Sequence, residues 1–103
     1  MKVSDILRVK GSALYTANPD QPLAEAIAVM SDNDIGSLVV MEHGDLVGML
    51  TFREVIQALV KNAGSINGPR VRSVMDDCPL TCTTATEIDE VRRMMLMRHA
   101  RYM

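Results

Sequence analysis

Thr51 and Glu54 stand three residues apart in "GMLTFREV", residues 48–55, at the end of an apolar run. A hydroxyl followed at that spacing by a carboxylate suits two tasks. It makes a capping box, in which threonine and glutamate satisfy the free amide donors of a helix start. It can also hold a ligand. A helix N-terminus offers unpaired N–H groups and partial positive charge, both favourable to phosphate. Thr51 can donate its hydroxyl there, and a carboxylate, being acceptor-only, can take two hydrogen bonds from a sugar diol. The same carboxylate would repel phosphate, so the two groups must address different parts of any ligand. Counter-charge is available further on, where Arg92, Arg93, Arg98 and Arg101 gather around His99. Guanidinium forks suit phosphate; they also suit a solvated helix face, the preferred reading for Arg92 and Arg93.

Other chemistry is thinly represented. Cys78 and Cys82, with His99, give two thiols and an imidazole, short of the usual four-ligand structural metal set, so no metal site is expected. A buried or strand position is the favoured reading of the cysteines, with redox pairing as the alternative. Met94, Met95 and Met97 read as packing residues, and His43 as a surface turn residue. No Ser/His/Asp order, paired catalytic carboxylates or Walker-type loop is found. The expectation is no catalytic residue and no enzyme.

Composition narrows the class. The 103 residues are 48% hydrophobic and 23% charged, with a net charge of −2, which suits one globular domain and argues against a general nucleic-acid binder. Aromatics are 3%, so Leu, Ile, Val and Met must fill the core. No stretch approaches the ~20 apolar residues needed to span a bilayer, and "MKVSDIL" lacks the apolar segment of a signal peptide. A cytoplasmic protein with reduced thiols and no membrane partner is expected.

The elements that must position Thr51 and Glu54 can be read in order. "VSDIL" at 3–7 is a short amphipathic turn and "ALYT" at 13–16 a short strand. Pro22 opens a helix at its first position, with Leu23, Ala26, Ile27 and Met30 on one face. "GSLVVM" at 36–41 and "DLVGML" at 45–50 read as strands buried on both faces, joined by "EHGD" as a hairpin turn. A helix follows Thr51 with Val55, Ile56, Leu59 and Val60 inward. "NAGSINGP", 62–69, is a linker. Gly48 allows close backbone approach within its strand.

The pattern then repeats. "VRSVM" at 71–75 matches "VSDIL" at an offset of 68, while "CPLT" at 78–81 and "IDEVRRMMLMRHA" at 88–100 match "ALYT" and "LAEAIAVMSDNDI" at an offset of 65. The second loop is three residues shorter. Such self-similarity outranks other fold arguments. The domains expected are a first repeat at 1–64, a linker at 65–70, and the N-terminal half of a second repeat at 71–103. Met103 corresponds to Leu38, so a natural continuation of about 25–35 residues is expected from the equivalence of repeats.

The order β-α-β-β-α, the "DIL" and "SVM" lead-ins, the hairpin "LVVMEHGDLVGML" and the closing "GMLTFREV" together resemble a tandem cystathionine-β-synthase (CBS) domain pair, or Bateman module. The resemblance implies a mixed α/β fold, a duplicated β-α-β-β-α repeat with pseudo-twofold symmetry and an incomplete second copy. It implies a regulatory module without an obligatory cofactor. The ligand would be an adenosine-bearing molecule: AMP, ADP, ATP, NAD or S-adenosylmethionine. Thr51 would meet phosphate, the acid at 54 the ribose, and Pro79, Leu80 and Thr81 the adenine through backbone groups. Arg98, His99 and Arg101 would meet phosphates, and Met49 and Arg53 belong to the same set. A homodimer and a regulated partner protein are further implications. Glu54 replaces the family aspartate, and one more methylene moves the carboxylate by about 1.5 Å. The alternative is a dimerising structural module with vestigial clefts.

Overall fold

The computed structural model describes residues 1–11 and 14–103. Among them the order is α1 (Val3–Lys10), β1 (Thr16–Ala17), α2 (Leu23–Asp32), β2 (Ser37–Glu42), β3 (Asp45–Thr51), α3 (Phe52–Lys61), α4 (Val71–Val74) and α5 (Ile88–Arg98). The chain separates into two compact units, Tyr15–Cys78 and Met1–Leu14 with Pro79–Met103.

The larger unit is built on a three-stranded sheet of order β1-β2-β3, with β1 parallel and β3 antiparallel to β2. The β2–β3 hairpin forms on "EHGD" as expected. His43 and Gly44 take φ of 54° and 82°, the doubly left-handed two-residue turn whose twist matches that of its strands. Register sets Leu38 opposite Leu50 and Val40 opposite Gly48, so period-two alternation puts these four on one face. That face is fully buried, whereas Val39, Val47 and Met49 on the other are half-buried. The strands are thus buried unequally on their two faces. β1 begins only at Thr16; of the expected strand 13–16, Ala13 lies outside the described residues.

Helices α2 and α3 supply the rest of the core. Leu23, Ala26 and Met30 of α2 and Ala58 of α3 join Ala17, Leu38, Val40, Leu50 and Val71 in one buried cluster. Pro22 is the residue before α2, with ψ of 139°, rather than its first helical residue. α3 departs from expectation. Glu54 and Ala58 face inward with Val55 and Leu59 half-buried, whereas Ile56 and Val60 are 59% and 78% exposed. The helix is apolar on two sides, and the turn that caps it selects which side meets the sheet.

The two lead-in helices carry the duplication into space. α1 is bonded to the loop before α5: Val3 N–H donates to Thr86 O at 2.9 Å and Ser4 N–H to Thr84 O at 2.9 Å. α4 is bonded to the loop before α2: Val71 N–H donates to Gln21 O at 3.0 Å and Arg72 N–H to Pro19 O at 2.8 Å. Offsets of 68 and 65 convert one set into the other. The bridge Lys2–Glu87 and the bridge Pro22–Arg70 are related in the same way. Each lead-in therefore packs with the body of the other copy, and the packed units do not coincide with the sequence repeats.

In the smaller unit α5 ends at His99, whose φ of 52° makes a left-handed C-cap. Ala100 N–H then donates to Met95 O at 2.9 Å, which satisfies a terminal carbonyl. The segment "CPLT", expected as the counterpart of a strand, is irregular. A strand needs a ladder partner; β1 has β2, and residues 79–83 have none among the described residues.

Candidate functional site

The tip of α3 brings Thr51, Arg53 and Glu54 together. Thr51 is the N-cap, extended at φ −122° and ψ 173°. Its hydroxyl accepts from Arg53 N–H at 3.2 Å, and Glu54 Oε1 accepts from both Thr51 N–H at 2.9 Å and the Thr51 hydroxyl at 2.6 Å. This is the capping box read from the spacing. Glu54 is 8% exposed, and a charge so buried is tolerable only when hydrogen-bonded. Here the bonds come with the positive end of a helix dipole. The carboxylate is thus turned onto the start of its own helix.

Met49 lies two residues before the cap. Its N–H donates to Asp76 O and its carbonyl accepts from Asp76 N–H, both at 2.9 Å. Gly48 makes this approach possible. A Cβ there would stand 2.8 Å from both Asp76 O and Met75 Sδ. Gly48 thus holds the strand that feeds Thr51 against the 75–76 segment, a partner for which the sequence gives no local signal.

The remaining expected site residues lie in the smaller unit. Pro79 and Leu80 are half-buried and Thr81 exposed, in irregular chain. Arg98, His99 and Arg101 are exposed at the end of α5. His99 and Arg101 line a shallow hollow of about 660 Å³ whose floor is Ile88, Val91, Met95 and Leu96 of α5 with Ile6 of α1. Ile88, Val91 and Met95 are the repeat equivalents of Leu23, Ala26 and Met30, which are buried in α2. Arg92 and Arg93 are exposed and pair along α5 with Asp89 at 3.8 Å and Glu90 at 2.8 Å, and Arg92 also lines the hollow.

The cysteine expectation is corrected. Cys78 and Cys82 are both exposed and both free, because the segment that carries them has no ladder to bury it. Among the described residues no three His, Cys, Asp or Glu side chains gather as metal ligands would, and no helix is long and apolar enough to cross a membrane.

One charged cluster escaped the sequence reading. The Arg72 guanidinium donates to Asp20 through Nε at 3.2 Å and to Glu42 through Nη2. Hydrogen bonds to Asp20 first, then to Glu42, hold its pKa above the ordinary arginine value. The partners are 52 and 30 residues away, so spacing could not reveal them. They tie α4 to the loop before α2 and to the end of β2.

Comparison with known proteins agrees with this architecture. The CBS domain family profile matches residues 3–61, and the chain belongs to that family. A curated relative is the CBS domain-containing protein CBSX3, mitochondrial, from Arabidopsis thaliana, 24% identical over 102 residues. The match covers 92% of this chain and 50% of that protein, so the chain spans about half the relative's length. The CBS-domain containing protein ATU1752 of Agrobacterium tumefaciens superposes with a TM-score of 0.91 at 25% identity, covering 97% of this chain and 81% of that one. The CBS domain pair of MJ0100, solved in complex with 5′-methylthioadenosine and S-adenosyl-L-methionine, gives 0.83 at 25% identity, covering 97% and 78%.

Proposed function

We propose that this chain is a regulatory module that captures an adenosine-containing small molecule and passes the event on as a change of conformation. The observation that carries the reading is the first turn of α3. A threonine hydroxyl, a buried carboxylate and the first amides of the helix are held there in one hydrogen-bonded turn. The MJ0100 pair, at 25% identity, is in complex with two adenosyl compounds, which supports the same ligand class here. Thr51 offers a donor to phosphate, and Glu54 an acceptor to a ribose diol. The ligand then competes with the Thr51–Glu54 hydroxyl contact, so capture loosens the cap that orients α3. A ligand shifts such an equilibrium only by its differential affinity for the two states.

Further contacts are assigned from the family resemblance: Pro79, Leu80 and Thr81 to the base, Arg98, His99 and Arg101 to phosphate, and Met49 and Arg53 beside the cap. The reading is of a binding module rather than a catalyst. Calorimetric titration with AMP, ATP, NADH, S-adenosylmethionine and methylthioadenosine tests it. A saturable heat with at least one of them, weakened in Glu54→Ala, is expected; flat traces with all five would remove the proposal.

The partner proposed is a second copy of the chain. Phe52, Ile56 and Val60 are 53%, 59% and 78% exposed and recur every four residues, forming one apolar stripe on the outer side of α3. A contiguous exposed apolar stripe is a candidate interaction surface. α3 adds Arg53 and Lys61 to its exposed surface, while α2 exposes Glu25 and Asp32 with no base. Opposite charges on two helices of one unit suit a twofold pairing that sets α3 of each copy beside α2 of the other.

A further inference from the structure

Cys78 and Cys82 bracket Pro79-Leu80-Thr81, the stretch assigned to the base by the proposed function, and any role of the two thiols in ligand capture rests on that assignment. Both thiols are exposed and free. The chain between them is anchored at its ends and loose in the middle. Cys78 N–H donates to Asp76 Oδ1 at 2.9 Å and Thr83 N–H to Thr86 Oγ1 at 3.0 Å. Among the described residues the amides of Leu80, Thr81 and Cys82 make no hydrogen bond, and residues 79–83 belong to no helix, strand or turn. Little backbone structure resists a change of shape there. Pro79, with its fixed φ, comes directly after Cys78 and is suited to the first corner of a turn.

We propose that Cys78 and Cys82 form a reversible oxidation site whose intramolecular disulfide closes the adenosyl-binding segment. Four fully extended residues cover about 13 Å, whereas a disulfide requires Cα atoms within about 7 Å. Bridging therefore folds residues 79–81 into a turn and re-aims the backbone groups offered to a base. The oxidant is a low-molecular-weight disulfide. One protein thiolate attacks a sulfur of that disulfide, forming a mixed disulfide and expelling one small thiolate. The second protein thiolate then attacks the protein sulfur of the mixed disulfide and expels the other. Two protein S–H bonds are replaced by one S–S bond, two electrons pass to the small disulfide, and the two protons end on the two small thiols released. Excess small thiol reverses both steps.

The test is to equilibrate the chain in mixtures of oxidised and reduced glutathione, alkylate, and weigh it. A monomer lighter by two hydrogens and closed to alkylation is expected, with Cys78→Ser and Cys82→Ser each stopping at the mixed disulfide. Mixed disulfides alone, or bridges only between chains, would overturn the proposal. Calorimetry with AMP and S-adenosylmethionine on both forms reads the consequence. Binding weaker by about tenfold or more is expected in the bridged form, as when polar contacts are left unmade. The double variant should bind as the reduced chain does and ignore the oxidant, which sets methionine oxidation apart. Equal affinity of the two forms overturns the gating. Silence of the reduced chain toward both probes counts against the adenosyl reading and the gating together, while the mass measurement still decides the bridge.

Discussion

Gly48 lies so close to Asp76 that a Cβ on residue 48 would stand 2.8 Å from the Asp76 carbonyl oxygen. Met75 Sδ stands equally near and can swing away, but the Asp76 oxygen is backbone and cannot step aside cheaply. Gly48→Ala should destabilise the chain by about 1–3 kcal/mol, the usual penalty of overpacking. Urea unfolding measures it. An unchanged midpoint would show that the 75–76 segment is free to lift from β3.

The cap and the proposed ligand contact make different demands on residue 54. Glu54→Ala removes the acceptor of two hydrogen bonds at a helix start and should cost about 1–2 kcal/mol, in the range of lost N-caps. Glu54→Asp installs the acid that the family resemblance implies. A small loss of thermal stability with nucleotide affinity retained or raised is expected. Loss of both together, matching Glu54→Ala, would mean that only the longer side chain serves.

Arg72 links Asp20 and Glu42 at the surface. Its pKa is raised by those partners, and the sign comes from linkage. Stability from a raised base is fully present below its unfolded pKa and is lost only as pH climbs through the folded value. Both values lie in the far alkaline range. Arg72→Met should therefore lower stability by the same amount throughout the neutral range. Added salt should shrink the difference, because the pair is exposed and screened. Thermal melts of the two proteins at several pH values and salt concentrations make the comparison.

Self-association should depend on the outer stripe of α3. Ile56→Glu and Val60→Glu place charge where the side chain is already in solvent, so the monomer should keep its fold within about 0.5 kcal/mol. Sedimentation equilibrium should show dimer for the parent chain and monomer for either variant. A monomeric parent, or a dimer untouched by both changes, would reassign the stripe.

Local chemistry was legible in the sequence, and distant pairing was not. "EHGD" announced its turn because only a left-handed-tolerant pair closes so short a hairpin. Thr51 and Glu54 announced the cap because both partners lie within one helical turn. The inward face of α3 was misread because Phe52, Val55, Ile56, Leu59 and Val60 supply apolar residues on two sides. Periodicity cannot choose between such faces, whereas the capped first turn does. Arg72 and Asp76 were silent because their partners, Asp20 and Met49, come from loops and strands far along the chain. The cysteines were misplaced for a related reason: the repeat predicted a strand at 78–81, but a strand is completed by its neighbour rather than by its own residues.

The crossing of the lead-ins has a consequence for how such a chain can be divided. Val71 comes from the second copy and is fully buried in the core that the first copy builds. Severing the peptide in the 62–69 stretch would leave that core lacking one of its own stones. A solitary repeat should therefore be less stable than the joined chain unless a sister molecule lends it a lead-in. Carrying both repeats on one polypeptide makes the encounter intramolecular and independent of concentration.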